Sequence, residues 1–328
     1  MHRFETGHWA VILGGSSGFG LATAHELASH GMNLCLVHRD RRGAMGRIES
    51  EFEKLRGHGV GVLTFNRDAL SPEGRGGILD ELAAALPEGA RVRMLLHSVA
   101  FGNLKLIAPE RAGEGPARAR GALAERLGVA ADRLAEVADA LLAEGHDALV
   151  GIATPPVYND RHFLDAEDFA RTVHAMGTSL LDWTQDLLAR GLFAADARVF
   201  GLTSEGNAVA WKGYAAVAAA KVALESVSRA IAVELAPYGI RCNVVQAGVT
   251  DTPALAAIPG SGHLKAQARS RNPFGRLTTP RDVARVLALL TTDEAAWING
   301  EVIRVDGGEH VSGVQGQPAA PTAAGGPE

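Results

Sequence analysis

Only two cysteines, Cys35 and Cys242, occur in the 328 residues. Each sits inside an apolar run, so buried thiols in a reducing compartment are expected rather than a disulfide. No apolar stretch approaches the roughly 20 residues that a membrane-spanning helix requires. The N-terminus likewise lacks a charged segment followed by a signal-peptide core. A cytoplasmic protein without a membrane partner is therefore expected. Excess charge is also missing: the formal net charge is −5, and clusters such as Arg39, Arg41 and Arg42 are too short to form a nucleic-acid surface. No metal site is expected. What remains is an ordinary globular composition, 47% hydrophobic and 21% charged, with ample material for a core in one or two domains.

Along the chain, short apolar runs alternate with segments of helical spacing. Strands are expected at 9–13, 33–37, 60–65, 92–97, 197–202, 241–245 and 302–305. Helices are expected at 21–30, 48–55, 78–86, 166–190, 280–290 and from Tyr214 to about Leu235. This alternation implies right-handed crossovers and a parallel sheet covered on both faces, an α/β doubly wound architecture. Between about 105 and 160 the rhythm breaks. Leucines and valines at three- and four-residue spacing over 123–142 mark an inserted helical element, read equally as a surface or oligomer contact and as a lid over a substrate mouth. The expected organisation is one domain over 1–313 with that insertion. A tail at 314–328, rich in Gly, Pro and Ala without periodicity, is expected to be disordered.

Gly14, Gly18 and Gly20 fall between the first strand and its helix, where a missing β-carbon lets backbone approach a pyrophosphate at the helix N-terminus. Ser16 and Ser17 add hydroxyls to that turn. The second strand ends in Val37-His38-Arg39-Asp40, where the adenosine ribose of a nicotinamide cofactor would lie. A guanidinium there suits the ribose phosphate of NADP, although a solvated charged loop is the plainer reading and Asp40 leaves NAD open. Tyr214 and Lys221 stand seven positions apart on what reads as one alanine-rich helix. At roughly 3.6 residues per turn they project from nearly the same face, so a phenol and an ammonium can serve one pocket. A tyrosine four before the lysine would share that face too. That position is Val217, and moving the phenol back to Tyr214 displaces it by about 4.5 Å along the axis.

The order of these motifs resembles the short-chain dehydrogenase/reductase superfamily from about Trp9 to Glu309, outside the insertion. Leu13-Gly14-Gly15-Ser16-Ser17-Gly18-Phe19-Gly20 is similar to its Thr-Gly-x-x-x-Gly-x-Gly turn, with leucine in place of threonine. Asp68 resembles the aspartate after the third strand that binds adenine, and Val305-Asp306-Gly307-Gly308 its closing strand and turn. Three departures point to the enoyl-acyl-carrier-protein reductase branch. These are His97-Ser98-Val99-Ala100-Phe101 after the fourth strand, Ala247-Gly248 in place of Pro-Gly, and tyrosine and lysine separated by six residues. Within that branch, 249–255 and 272–276 look most like the NADPH-using form that keeps the glycine turn.

The resemblance implies a Rossmann fold and NADPH as cofactor, with NADH possible. It implies as substrate a 2,3-unsaturated acyl thioester carried by acyl carrier protein or coenzyme A, and a homo-oligomer, dimer or tetramer. It assigns Tyr214, Lys221 and Ser204 to catalysis. To cofactor binding it assigns Gly14, Ser16, Ser17, Gly18, Phe19, Gly20, His38, Arg39, Asp68, Ala69, Ser98, Val99, Ala100, Lys221, Ala247, Gly248, Val249 and Thr252. Ser204 either orients the thioester carbonyl or satisfies backbone groups at a strand end. Met176 replaces the structural asparagine of carbonyl-reducing relatives, His97 is read as shaping the pocket by packing ahead of acting as a general acid near the cofactor, and Asn243 serves strand packing. Trp211 and Phe101 either line an acyl channel or pack in the core. A ketoreductase or alcohol dehydrogenase is the second reading, and a cofactor-binding regulator on a decayed scaffold the third.

Overall fold

The computed structural model describes residues 4–111, 114–159 and 161–313. The expected tail at 314–328 lies outside the described residues. The chain divides into two compact units. The first, Met1–Leu104, Leu164–Ala247 and Thr279–Val305, carries a seven-stranded parallel sheet in the order β3-β2-β1-β4-β5-β6-β7. Its strands are β1 (His8–Leu13), β2 (Asn33–His38), β3 (Val62–Asn66), β4 (Arg91–His97), β5 (Phe193–Ser204), β6 (Ile240–Ala247) and β7 (Val302–Val305). This is the Rossmann-type α/β fold expected.

Period-two alternation on the strands feeds two cores. Val11, Leu13, Cys35 and Val37 face α3 (Pro72–Ala85), α7 (Ser179–Ala189) and α8 (Ala215–Glu234), meeting Ile78, Trp183 and Leu224. Ala10, Ile12, Leu34 and Leu36 face α1 (Gly18–Ser29), α2 (Met45–Arg56) and α11 (Pro280–Leu290), meeting Leu27, Phe52 and Leu287. Both cysteines are free and buried, with thiols pushed up to about 12 by loss of solvent. Strand order reverses between β1 and β4, so the carboxyl ends of β1, β4 and β5 border the switch point of the sheet, where ligands bind in doubly wound folds.

The second unit, Lys105–Phe163, Gly248–Thr278 and Asp306–Glu328, contains α4 (Glu114–Leu127), α5 (Ala131–Ala143), the single turn α9 (Pro253–Ala256) and α10 (Ser261–Arg271). The expected helix over 123–142 is two helices, broken where Gly128 adopts φ 65°. The expected helix over 166–190 is likewise interrupted. α6 (Ala166–Val173) and α7 flank a π-turn, His174–Thr178. There Gly177 lets the backbone come so close to α8 that a Cβ would lie 2.7 Å from the Ala220 carbonyl oxygen. Among the described residues, no helix is long and apolar enough to cross a membrane.

Candidate active site

The glycine turn is tightly folded at the end of β1. Gly14 and Gly15 donate to the Val37 carbonyl at 2.8 and 3.1 Å, and Ser98 donates its backbone N–H to Leu13 at 2.9 Å. Gly14 has φ 83°, and a Cβ on it would lie 2.3 Å from the Ser98 carbonyl oxygen; a Cβ on Gly20 would lie 2.2 Å from that of Gly14. No other residue fits at either place. The turn delivers the chain into α1, whose first residue is Gly18, at φ 53°, and whose N-cap is Ser17. That N-cap makes no side-chain capping bond and the first turn carries no acidic residue. A helix start without cap or counter-charge suits an anionic group, so the local chemistry fits a pyrophosphate. Ser16 is buried in the turn, and Phe19 packs against the neighbouring core.

At the end of β2, Arg39 rather than His38 presents charge at the rim. The His38 ring is buried against Phe52, with Nδ1 3.0 Å from an Asp40 carboxylate oxygen. Arg39 is half exposed, donates to Asp68 at 3.1 Å, and holds its guanidinium 4.7 Å from the centre of the Phe101 ring. Asp68 also accepts from the Leu70 N–H at 2.9 Å, and the neighbouring Ala69 carbonyl accepts from the Trp183 indole at 2.8 Å. Val99 packs on the core beside β4 while Ala100 is exposed.

Tyr214 stands at the N-cap of α8 and not within it, a correction to the reading of tyrosine and lysine on one helical run. Gly213, at φ 71°, turns the chain just before it. The phenol is nonetheless half-buried, and loss of solvent raises its pKa against a smaller lowering by Ser204. Its oxygen lies 3.5 Å from Ser204 Oγ at the end of β5, and its ring packs against Trp211 at 5.5 Å. Gly206 makes room for it: a Cβ there would lie 2.5 Å from Tyr214 Cε1. Lys221, 7% exposed, donates from Nζ to the Leu202 carbonyl at 2.7 Å. Burial lowers this ammonium from 10.5 to about 8, opposed by the charge of Glu225. Tyr214 and Lys221 thus converge on the carboxyl end of β5 through Ser204 and Leu202.

Val217, where a tyrosine four before the lysine would stand, is 3% exposed and packs with Ala175, Met176 and Ala220. A valine carries no proton to give. His97 is buried and depressed to about 3, first by desolvation and then by the Lys221 charge, and its Nε2 lies 2.8 Å from Ser179 Oγ. A neutral, packed imidazole follows. Asn243 bridges Ile298 O at 2.9 Å and the Glu301 N–H at 3.0 Å.

In the second unit, Val249 donates its N–H to the Glu309 carboxylate at 3.2 Å, and Thr252 caps α9 through the Leu255 N–H. Gly248 is required here, because a Cβ would lie 2.5 Å from Thr278 Oγ1 and 2.8 Å from Glu309 Oε2. Ala247 ends β6, paired with Ser204. Two further residues organise the surroundings. Glu225 accepts from Thr203 and Asn207, each at 2.6 Å, and its place four after Lys221 was the available signal. Glu309, 1% exposed, offered none.

Residues 132–310 match the family model described as enoyl-(acyl carrier protein) reductase. The NADH enoyl-[acyl-carrier-protein] reductase FabI of Aquifex aeolicus is 39% identical over 104 residues, 32% of this chain and 38% of its own length. The cis-4-hydroxycyclohexanecarboxylate dehydrogenase of Sinomonas cyclohexanicum is 32% identical over 161 residues, 49% and 63% of the two lengths. The chain therefore spans less than two thirds of either relative. The crystal structure of the enoyl-acyl-carrier-protein reductase of Anaplasma phagocytophilum, solved with NAD, superposes with a TM-score of 0.65 over 98% of both chains at 19% identity, a likeness of fold. With the family model covering more than half its length, this chain belongs to the short-chain dehydrogenase/reductase superfamily, in the branch that resembles enoyl-acyl-carrier-protein reductases.

Proposed function

We propose that the protein reduces the carbon–carbon double bond of a 2,3-unsaturated acyl thioester with NADPH. The observation that carries this reading is the pairing of a half-buried Tyr214 phenol with a buried apolar Val217, so that the site's proton donor is the displaced one. In carbonyl reduction hydride lands on the carbon that bears the oxygen, and a donor must reach an atom one bond away. In an enoyl thioester hydride enters the β-carbon and negative charge appears on the thioester oxygen, three bonds off. A donor set back from the lysine suits the second geometry.

A nicotinamide cofactor, when bound, supplies the hydride. Tyr214, kept protonated by burial, donates its O–H to the developing enolate oxygen, and Ser204 Oγ, 3.5 Å from the phenol oxygen, orients it. Lys221, anchored on Leu202, lends positive charge to the oxyanion and hydrogen bonds to the cofactor's ribose hydroxyls. The uncapped start of α1 receives the pyrophosphate, Arg39 the ribose phosphate that distinguishes NADPH, and Asp68 the adenine edge. Ser98, Ala100 and Ala247 would complete the cofactor's contacts on the first unit, and the turn at Gly248–Thr252 is assigned to the cofactor by resemblance alone. NADH remains the cofactor named for the Aquifex relative, and Arg39 is the feature that favours NADPH here. An intracellular, oligomeric enzyme fits this role.

A second reading, oxidation or reduction at a hydroxyl or carbonyl, is favoured by the Ser204–Tyr214 proximity, which also suits polarisation of a carbonyl, and by the similarity to a hydroxy-acid dehydrogenase. Oxidation of NADPH with crotonyl thioester against acetoacetyl thioester separates the two. Turnover of the first at least tenfold more efficient supports the proposal; the reverse order sinks it.

A further inference from the structure

The insertion has no part in the chemistry proposed above, yet it carries a deeply buried carboxylate that contacts α10. Asp147, in the turn after α5, is 4% exposed and grips Arg269 of α10 bidentately, Oδ2 with Nε and Oδ1 with Nη2, both at 2.6 Å. A carboxylate is buried this far only when its partner satisfies it. Around the pair, Leu142, Val150, Ala153 and Ala266 form a small shared core. Pro156 packs on Gly260 at the start of α10, where φ is 75° and a Cβ would lie 2.4 Å from the proline Cγ. Arg120 of α4 donates to the Ala153 carbonyl at 2.8 Å, tying the first inserted helix to the same segment.

Arg271 lies two residues beyond Arg269, about 200° around the helix, and so leaves α10 on the opposite side. It donates to Glu309 Oε1 at 2.8 Å, and the other oxygen of that buried carboxylate accepts the Val249 N–H at 3.2 Å. The last turn of α10 is therefore held by the insertion on one flank. On the other it reaches, through one carboxylate, the backbone of the turn that leaves β6.

We propose that the insertion is a brace: Asp147 fixes α10 through Arg269, and α10 fixes the Gly248–Val249 turn through Arg271 and Glu309. Asp147 and Glu309 are then positioning residues for what that turn binds. The consequence for cofactor affinity rests on the proposed assignment of that turn to cofactor binding, whereas the mechanical coupling does not.

Amide hydrogen exchange on the full chain, with NADPH titration by fluorescence, tests both halves. Glu309→Gln is expected to speed exchange over 248–256 at least tenfold. Asp147→Asn and the milder Arg269→Lys, which keeps charge but loses the two-pronged grip, are expected to speed it about threefold, in α10 and in the turn alike. The double variant D147N/E309Q should exchange no faster at the turn than E309Q alone, because both act along one path. NADPH dissociation constants should rise about fivefold. If D147N and R269K loosen 147–156 and α10 but leave 248–256 at the native rate, the insertion is merely attached and the brace is wrong. Faster exchange at the turn with unchanged NADPH affinity upholds the brace and removes the turn from the cofactor site.

Discussion

Replacing Lys221 by methionine should make the protein inactive and, at neutral pH, more stable. The lowering of this ammonium from 10.5 to about 8 means that burying it charged costs roughly 3 kcal/mol. Methionine has a similar reach and no charge, but it leaves the Leu202 carbonyl without the 2.7 Å donor, a loss of about 1–2 kcal/mol. The balance is a gain of about 1–2 kcal/mol at pH 7. The sign with pH is opposite to that of a lysine stabilised by a partner. Between pH 8 and 10.5 the unfolded chain holds this proton and the folded chain does not, so native stability rises with pH across that window. The burial penalty is fully present below pH 8 and gone above 10.5. The two proteins should therefore cross, the variant leading at pH 7 and trailing by about 1–2 kcal/mol above pH 10.5. Urea unfolding of both proteins at pH 7 and at pH 10 to 11 measures this directly, since other titrations cancel in the difference. A variant less stable by more than about 2 kcal/mol at pH 7, or a difference that does not move with pH, would refute the reasoning.

Other consequences are more local. Gly206→Ala places a methyl 2.5 Å from the Tyr214 ring, and should lower kcat/KM at least about tenfold while costing only about 1–3 kcal/mol of stability in urea melts. Arg39→Ala should raise the KM for NADPH about tenfold or more and leave that for NADH within about twofold, read from initial rates with each cofactor. Asp196 joins Arg93, Arg198 and Arg241 from three adjacent strands; burial raises its pKa, but the arginines outweigh this and leave it at about 2. Its contribution is present above about pH 4 and lost as the pH falls through 2, and, discounted for the screening of a carboxylate one third exposed, Asp196→Asn should destabilise by about 1 kcal/mol at pH 7, with the difference vanishing in acid melts.

The doubly wound sheet was legible because its central strands, buried on both faces, read as short and mainly apolar runs, as in 9–13, where glycine follows directly. The glycine turn, Arg39, Tyr214, Lys221 and Ser204 were legible as residue types at definite distances from strand ends. Their exact setting was not. A helical spacing argument carried Tyr214 into α8, whereas Gly213 at positive φ leaves it one residue outside, where Gly206 rather than the helix fixes its ring. The π-turn at 174–178 depends on how closely α8 approaches Gly177, a tertiary fact with no local periodicity. α10, whose sequence Ser-Gly-His-Leu-Lys-Ala-Gln-Ala-Arg-Ser-Arg has no apolar stripe, went unread because its helix is secured by ion pairs to Asp147 and Glu309. The first of these partners is 122 residues away, beyond any pattern a window can show.

Crotonyl thioester reduced with NADPH deuterated at the transferable position should yield butyryl thioester labelled at carbon 3, and Tyr214→Phe should lower that rate by a factor on the order of 100 to 1,000. Absence of label at carbon 3, or label appearing instead on the carbinol carbon of a product formed from acetoacetyl thioester, would contradict the account.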